Sequence, residues 1–176
     1  NSQPGLDDEY RFDLAPVITL PKPVAYYGAN YSDRKDVLLH EAVRYACSKS
    51  KIDFSPYDND FDGSVDNVFL ITAGFSEADG AAEEWIWPQF GQLKDHGGIG
   101  EAGGFSIDSF CVSTELSSDE EGIPTSAPVG VFCHEFCHFL GLTDLYDTDG
   151  ENSGGVAPGL WNTGIMDNGC KSSPVP

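Results

Sequence analysis

Apolar residues recur at helical spacing in two stretches of the chain. The first covers residues 33–49, after a plausible cap at Ser32 or Asp33, and the second follows Pro128 and runs to about Leu140, where Gly141 ends it. A helix brings positions three and four apart onto one face, so this spacing predicts two helices with an apolar side. The apolar positions of the first are Val37, Leu38, Ala42, Val43 and Ala46.

Two other stretches have the character of strands. VFLITAG (68–74) is short, apolar and rich in β-branched residues, which is typical of a buried strand. FSIDSFCVST (105–114) also has strand character, with Phe105, Ile107 and Phe110 as inward candidates. Residues 1–23 are punctuated by Pro and are expected to be extended. The pattern predicts one α+β domain over residues 1–176, and leaves open whether that chain is a fragment of a longer one.

Charge is the strongest signal in the composition. Nine Lys and Arg stand against 29 Asp and Glu, a formal net charge of −20. Such a field repels phosphate backbones and anionic lipids, which argues against nucleic-acid and membrane-surface partners, and it attracts divalent cations. No apolar run approaches the length of a membrane span, so membrane insertion is not expected.

Five cysteines are present without a C-x-x-C pair, so the sequence does not support a cysteine-rich zinc site. Cys133 and Cys137 would share one helix face, which suits burial better than mutual bonding. Most of the cysteines are expected to act as small buried hydrophobes, and disulfide pairing stays open.

The segment VFCHEFCHFLGLTDLYD (131–147) carries the candidate chemistry. In a helix, His134 and His138 lie on one face and can direct imidazole nitrogens at one zinc ion. Glu135, beside the first histidine, could take a proton from a zinc-activated water as general base. The alternative, two histidines and a carboxylate without a metal, is disfavoured because unpaired polar groups are costly in so apolar a helix.

A third zinc ligand is expected just after the helix. Asp144 follows His134 by ten residues, in the spacing HExxHxxGxxD, while Asp147 is a nearby acidic alternative and Asp144 could instead stabilise the turn. Met166, the only methionine, lies in LWNTGIMDNG among glycines. Metzincins place a methionine turn beneath the metal, so this position is predicted to be such a turn.

Alternating carboxylates occupy residues 58–66. Carboxylates at alternate positions with Gly63 in sixth place are typical of a calcium loop, although the twelfth position is Phe69 rather than Glu. A structural Ca²⁺ site is therefore expected, with an ordinary Asp/Gly turn as the alternative. Its predicted ligands are Asp58, Asp60, Asp62, the Ser64 carbonyl and Asp66.

With these residues in view, the chain resembles the immune-inhibitor-A-like family of secreted bacterial metallopeptidases. The segments that carry the resemblance are residues 53–80, IWPQ (86–89), GVFCHEFCHFLGLTDLYDT (130–148) and PGLWNTGIMDNG (158–169). The resemblance implies a secreted, metzincin-like zincin domain with a mixed sheet and an active-site helix. It also implies zinc ligands His134, His138 and Asp144, the base Glu135 and a turn at Met166.

The expected function is zinc-dependent endopeptidase hydrolysis of extracellular proteins. The alternative is a non-catalytic, calcium-stabilised recognition or adhesion module that keeps the zincin fold, and such a module would not need the carboxylate of Glu135. A substrate peptide is expected to lie along a sheet edge as an added strand. Substrate preference, latency and oligomeric state stay open.

Overall fold

Three α-helices, seven strands and five short 3₁₀ helices make up the regular structure of the described residues in this computed structural model. Those residues are 14–15, 17–28, 35–50, 52–96, 100–118, 123–149, 156 and 159–171. The helices are α1 (Val24–Gly28), α2 (Lys35–Ser50) and α3 (Val129–Phe139). The strands are β1 (Ser64–Val65), β2 (Val68–Phe75), β3 (Gln89–Gln92), β4 (Gly100–Ala102), β5 (Phe105–Ile107), β6 (Ser109–Ser118) and β7 (Pro124–Ser126).

Strand β6 is the centre of the larger sheet. It pairs in parallel with β2, where Val68 lies opposite Phe110, and antiparallel with β3 and β7. The sheet is therefore mixed, as the resemblance implies. No described strand pairs with the outer edge of β3.

The two faces of this sheet are covered by different helices. Phe110 and Val112 of β6 belong to one buried cluster with Leu38 and Leu39 of α2, all at most 5% exposed. Alternate side chains of a strand point to opposite faces. Cys111 accordingly faces α3, and its Sγ donates to the Glu135 carbonyl at 3.4 Å.

On the same face, Phe69 of β2 stacks on Phe132 of α3 with ring centroids 3.9 Å apart. These contacts fix the position of α3 against the sheet, and α3 is the helix that carries the candidate chemistry.

The stretch 105–114 is not the single strand that its composition suggests. Residues Phe105–Ile107 form β5 of a smaller sheet, ordered β1–β5–β4, and β6 starts at Ser109 in the larger sheet. Asp108 separates them: its carboxylate accepts the Lys94 N–H at 2.8 Å and its carbonyl accepts the Leu93 N–H at 2.9 Å. These bonds to another segment replace ladder bonds and redirect the chain.

The other predicted elements are largely confirmed. The strand at 68–74 is β2, and the helix after Pro128 ends at Phe139, one residue before the expected end. Helix α2 matches the first periodic stretch, but its predicted cap at Ser32 or Asp33 and the side chains of Val43 and Ala46 lie outside the described residues.

Residues 14–15 and 17–20 contain neither helix nor strand, while the other residues up to 16 are not described. Helix α1, at Val24–Gly28, was not predicted. None of the described helices is long and apolar enough to cross a membrane.

Candidate metal centre

Helix α3 brings His134, Glu135 and His138 close together. One ligand-capable atom from each of the three lies within 4.8 Å of those of the others. His134 and Glu135 are only 7% and 6% exposed. The i, i+4 spacing of the histidines thus produces the juxtaposition that the sequence predicts, inside a largely buried site.

The C-terminal cap of α3 orients His138. Gly141 takes a φ of +89°, its N–H bonds to the His138 carbonyl at 2.9 Å, and the Leu142 N–H bonds to the Cys137 carbonyl at 3.0 Å. This pair of bonds is a Schellman motif, which needs a left-handed residue that Gly adopts without strain. The turn then places the Leu142 carbonyl 2.9 Å from Nδ1 of His138.

His134 is oriented by a more distant part of the chain. Its Nδ1 lies 2.9 Å from the Ile165 carbonyl, 31 positions away in sequence. A carbonyl oxygen can only accept, so Nδ1 of His134 and of His138 must each carry the hydrogen. In the neutral ring, Nε2 of each histidine then presents a lone pair, which is the form that binds a metal.

Asp144 completes a triangle with the two Nε2 atoms. The Nε2 atoms are 3.2 Å apart, and each is 3.3 Å from Oδ1 of Asp144. That Oδ1 is buried and has no hydrogen-bond partner among the described residues. For a tetrahedral ion with bonds of about 2.0–2.1 Å, neighbouring ligand atoms should be about 3.3–3.4 Å apart. The three atoms therefore fit zinc in both chemistry and spacing.

Glu135 is a buried carboxylate at the edge of this triangle. Burial raises its pKa to about 7, the Phe90 N–H that bonds to it acts in the opposite direction, and the negative charge of Asp144 raises it further. Phe90 belongs to β3, so the edge strand of the sheet contacts Glu135. A cation held by the histidines would favour the charged form and lower this pKa.

The segments beyond α3 hold Tyr146 and the remaining predicted residues, Met166 and Asp147. Tyr146 donates a hydrogen bond to the Asp144 carboxylate, and its own pKa rises to about 12 because of burial and of the negative charge on Asp144. Met166 is 4% exposed, and its carbonyl accepts the Leu145 N–H at 2.8 Å. Asp147 instead accepts the N–H of Asp149 at 3.1 Å, within its own turn.

The acidic loop is only partly assembled as predicted. Carboxylate oxygens of Asp58, Asp60 and Asp62 lie within 4.8 Å of one another, and Asp58 is 8% exposed. Asp66 is not part of that group; its carboxylate accepts hydrogen bonds from the backbone and the side chain of Asn59. Asp58 accepts the N–H groups of Asp62 and Gly63, at 3.0 and 3.1 Å, and so also closes the loop.

The four cysteines whose side chains are described are free thiols: Cys111, Cys133, Cys137 and Cys170. Cys111 and Cys170 are buried.

Three groups that contact the site were not predicted from the sequence: the carbonyls of Leu142 and Ile165 and the N–H of Phe90. Only Gly141 gave a signal, because it marks the turn that presents the Leu142 carbonyl. The others are backbone groups, which side-chain identity does not reveal.

Comparison with known proteins gives one family. The family model described as the immune inhibitor A peptidase M6 catalytic domain matches residues 9–174. The match includes α3, the turn with Asp144 and the segment around Met166. No curated protein matches the chain significantly.

Proposed function

The chain belongs to the immune inhibitor A peptidase M6 family and is a metallopeptidase, and we propose that it is a zinc-dependent endopeptidase with Glu135 as its general base. The proposed ligands are His134, His138 and Asp144. The proposed fold is a single metzincin-like zincin domain over residues 1–176, with a turn at Met166 beneath the metal.

The main support for this proposal is the spacing of three acceptor atoms. Two imidazole nitrogens and a carboxylate oxygen, each an acceptor, face one another at 3.2–3.3 Å, and the Nδ1 hydrogen of each ring is already used elsewhere. Acceptor atoms at such short distances repel one another unless a cation lies between them. A bound divalent ion would offset this repulsion, and the acidic chain would favour its approach.

In the proposed reaction, the metal ligands and Glu135 would have separate roles. A zinc ion held by His134, His138 and Asp144 would supply Lewis acidity, which would lower the pKa of an attacking water to about 7 and polarise the scissile carbonyl. Glu135 accepts the proton of that water and returns it to the leaving amine. The Phe90 N–H keeps its carboxylate in place, and burial limits competing contacts with solvent.

The outer edge of β3 suits an extended substrate. Its backbone is close to Glu135, and Phe90 packs beside His138 with ring centroids 6.5 Å apart. A peptide added along this edge would run past the metal site, in the way that extended ligands join an exposed sheet edge. We propose extracellular proteins as the substrates of a secreted enzyme, consistent with the resemblance described above.

Metal analysis combined with a cleavage assay tests the function. The purified protein should contain one zinc per chain and should cleave an unfolded protein such as reduced, alkylated casein. A zinc chelator should abolish cleavage, and zinc should restore it where calcium alone does not. A protein that binds zinc but cleaves no peptide bond would favour the recognition or adhesion module, and one that refuses zinc would overturn the proposed metal centre.

We also propose that the acidic loop binds a structural Ca²⁺ through Asp58, Asp60, Asp62, Ser64 and Asp66. The support is the closeness of three carboxylates, one of them buried. Asp66 would have to exchange its bonds to Asn59 for the ion. Because close carboxylates repel one another, the loop should be more stable with a cation present.

Calcium at about 10 mM should raise the melting temperature of the chelated protein by about 3–10 °C. This range follows from a dissociation constant of about 10⁻⁴–10⁻³ M, which is typical of extracellular calcium modules. Differential scanning fluorimetry measures the shift. The exposed Asp60 is the position to change, and Asp60→Ala should remove most of the response. An equal shift in wild type and variant, or none in wild type, would assign the loop to ordinary turn structure.

A further inference from the structure

One short turn, residues 165–168, supports two of the three proposed ligands. The Ile165 carbonyl accepts Nδ1–H of His134 at 2.9 Å. The next carbonyl, that of Met166, accepts the N–H of Leu145 at 2.8 Å, and Leu145 directly follows Asp144. A movement of this turn would therefore displace both His134 and the Asp144 segment.

The side chain of Asp167 holds the turn in place. Its Oδ2 accepts the N–H groups of Leu160 and Trp161, at 2.6 and 2.7 Å, and its Oδ1 accepts the Asn168 N–H at 2.6 Å. Asp167 is 2% exposed. Three short bonds to one buried carboxylate tie the segment from 160 to 168 into a closed loop.

Charge strengthens these bonds. Burial acts to raise the pKa of Asp167, but the N–H groups of Asn168, Leu160 and Trp161 outweigh it and hold the pKa below its ordinary value of 3.8. The carboxylate is therefore ionised at neutral pH. Its contribution to stability is present above the ordinary value and is lost only as the pH falls through the lowered pKa.

The backbone facing Asp167 is strained in a way that the carboxylate explains. Trp161 has a φ of +53°, a left-handed conformation that is unfavourable for an aromatic residue, and its N–H bonds to Asp167. Gly159 also has a positive φ, +64°, and a Cβ there would lie 2.5 Å from Oδ2 of Asp167. The chain is thus folded closely around this side chain at two positions.

We propose that Asp167 is a positioning residue that sets the zinc affinity of the site through the turn 165–168. The proposal rests on the zinc centre proposed above. Asp167 acts through the Ile165 and Met166 carbonyls, which orient His134 and the segment of Asp144. Loss of the carboxylate would free the turn and weaken the metal site in a protein that remains folded.

Asp167→Asn is the first variant to test. An amide of the same shape offers one acceptor oxygen in place of two, and its NH₂ group would face at least one backbone N–H. Loss of partners that orient metal ligands typically costs about 10- to 100-fold in metal affinity. We expect the zinc dissociation constant, measured by chelator competition, to rise by about that factor. The visible spectrum of the cobalt-substituted variant should change as well, because it reports ligand geometry.

Two further variants make the result decisive. Asp149→Asn, the same charge change at an exposed position, should keep wild-type affinity and spectrum. Asp167→Glu keeps the charge but moves the carboxylate by one methylene, and should also raise the dissociation constant, so it gives a second test if Asp167→Asn fails to fold. Circular dichroism confirms that each protein is folded at the assay temperature.

Two outcomes distinguish an error in the role of Asp167 from an error in the proposed metal centre. If wild type binds zinc and folded Asp167→Asn keeps the same affinity and cobalt spectrum while melting earlier, Asp167 is only structural and the inference is wrong. If wild type itself binds no zinc, the metal centre fails instead, and the role proposed for Asp167 fails with it.

Discussion

Replacing Glu135 by Gln is expected to lower kcat for peptide hydrolysis by about 10²- to 10⁴-fold, the usual contribution of a general acid–base group. The amide has the same shape but cannot accept a proton at neutral pH. It can still accept the Phe90 N–H through its oxygen, so the local structure should survive. Steady-state kinetics on a quenched fluorescent peptide measures the effect, and metal analysis should still find one zinc per chain.

The matched control is Glu83→Gln, the same change at an exposed turn residue, for which we expect wild-type kcat. Loss of zinc from the Glu135 variant would mean that Glu135 acts mainly on the metal. A fully loaded, folded Glu135→Gln enzyme with wild-type kcat would remove Glu135 from the mechanism.

Asp144→Ala is expected to lower zinc affinity by more than about 100-fold, beyond what the loss of an outer-shell partner costs. It removes the Oδ1 oxygen that lies 3.3 Å from both Nε2 atoms and would leave only the two histidines of the three proposed ligands. Activity at limiting zinc should fall with it. Competition with a chromophoric chelator gives the dissociation constant directly.

Asp147→Ala is the natural control, because it is the other acidic residue of the same segment. Its carboxylate accepts a hydrogen bond from Asp149, so the change should affect the turn and cost little zinc affinity. The opposite ranking of the two variants would make Asp147 the third ligand. Wild-type zinc affinity in a folded Asp144→Ala protein would contradict the assignment outright.

The sequence predicts the centre of the site well because that part depends on local geometry. His134 and His138 are held by one helix, and the position of Gly141 fixes where that helix ends. Helical spacing is a property of neighbouring residues, so it can be inferred without knowing the fold. The strand at 68–74 follows in the same way from a short apolar run.

Contacts between distant segments could not be inferred. The bond from His134 to Ile165 joins two segments separated by 31 positions, and its acceptor is a backbone carbonyl that every residue has. Asp167 belongs to the same class: the acidic residue is visible in the sequence, but its three backbone donors appear only after the loop has closed.

The division of residues 105–114 between two sheets illustrates a further limit. Ile107 and Phe110 are both buried, as their apolar character suggests, yet they lie in different sheets. The partners of Asp108 decide this, since bonds to Leu93 and Lys94 replace ladder bonds at that point. Propensity alone does not register such competition.

The distance along the chain between α3 and the turn that orients His134 also has a meaning for biosynthesis. A ribosome-bound chain that has emerged only as far as α3 already carries the HExxH sequence but lacks the acceptor for Nδ1–H of His134. Rotation of that imidazole is then unrestrained, and Asp144 has no Met166 carbonyl to fix its segment. The proposed zinc ligands are therefore expected to reach their final geometry only after residues 159–171 have folded against the helix.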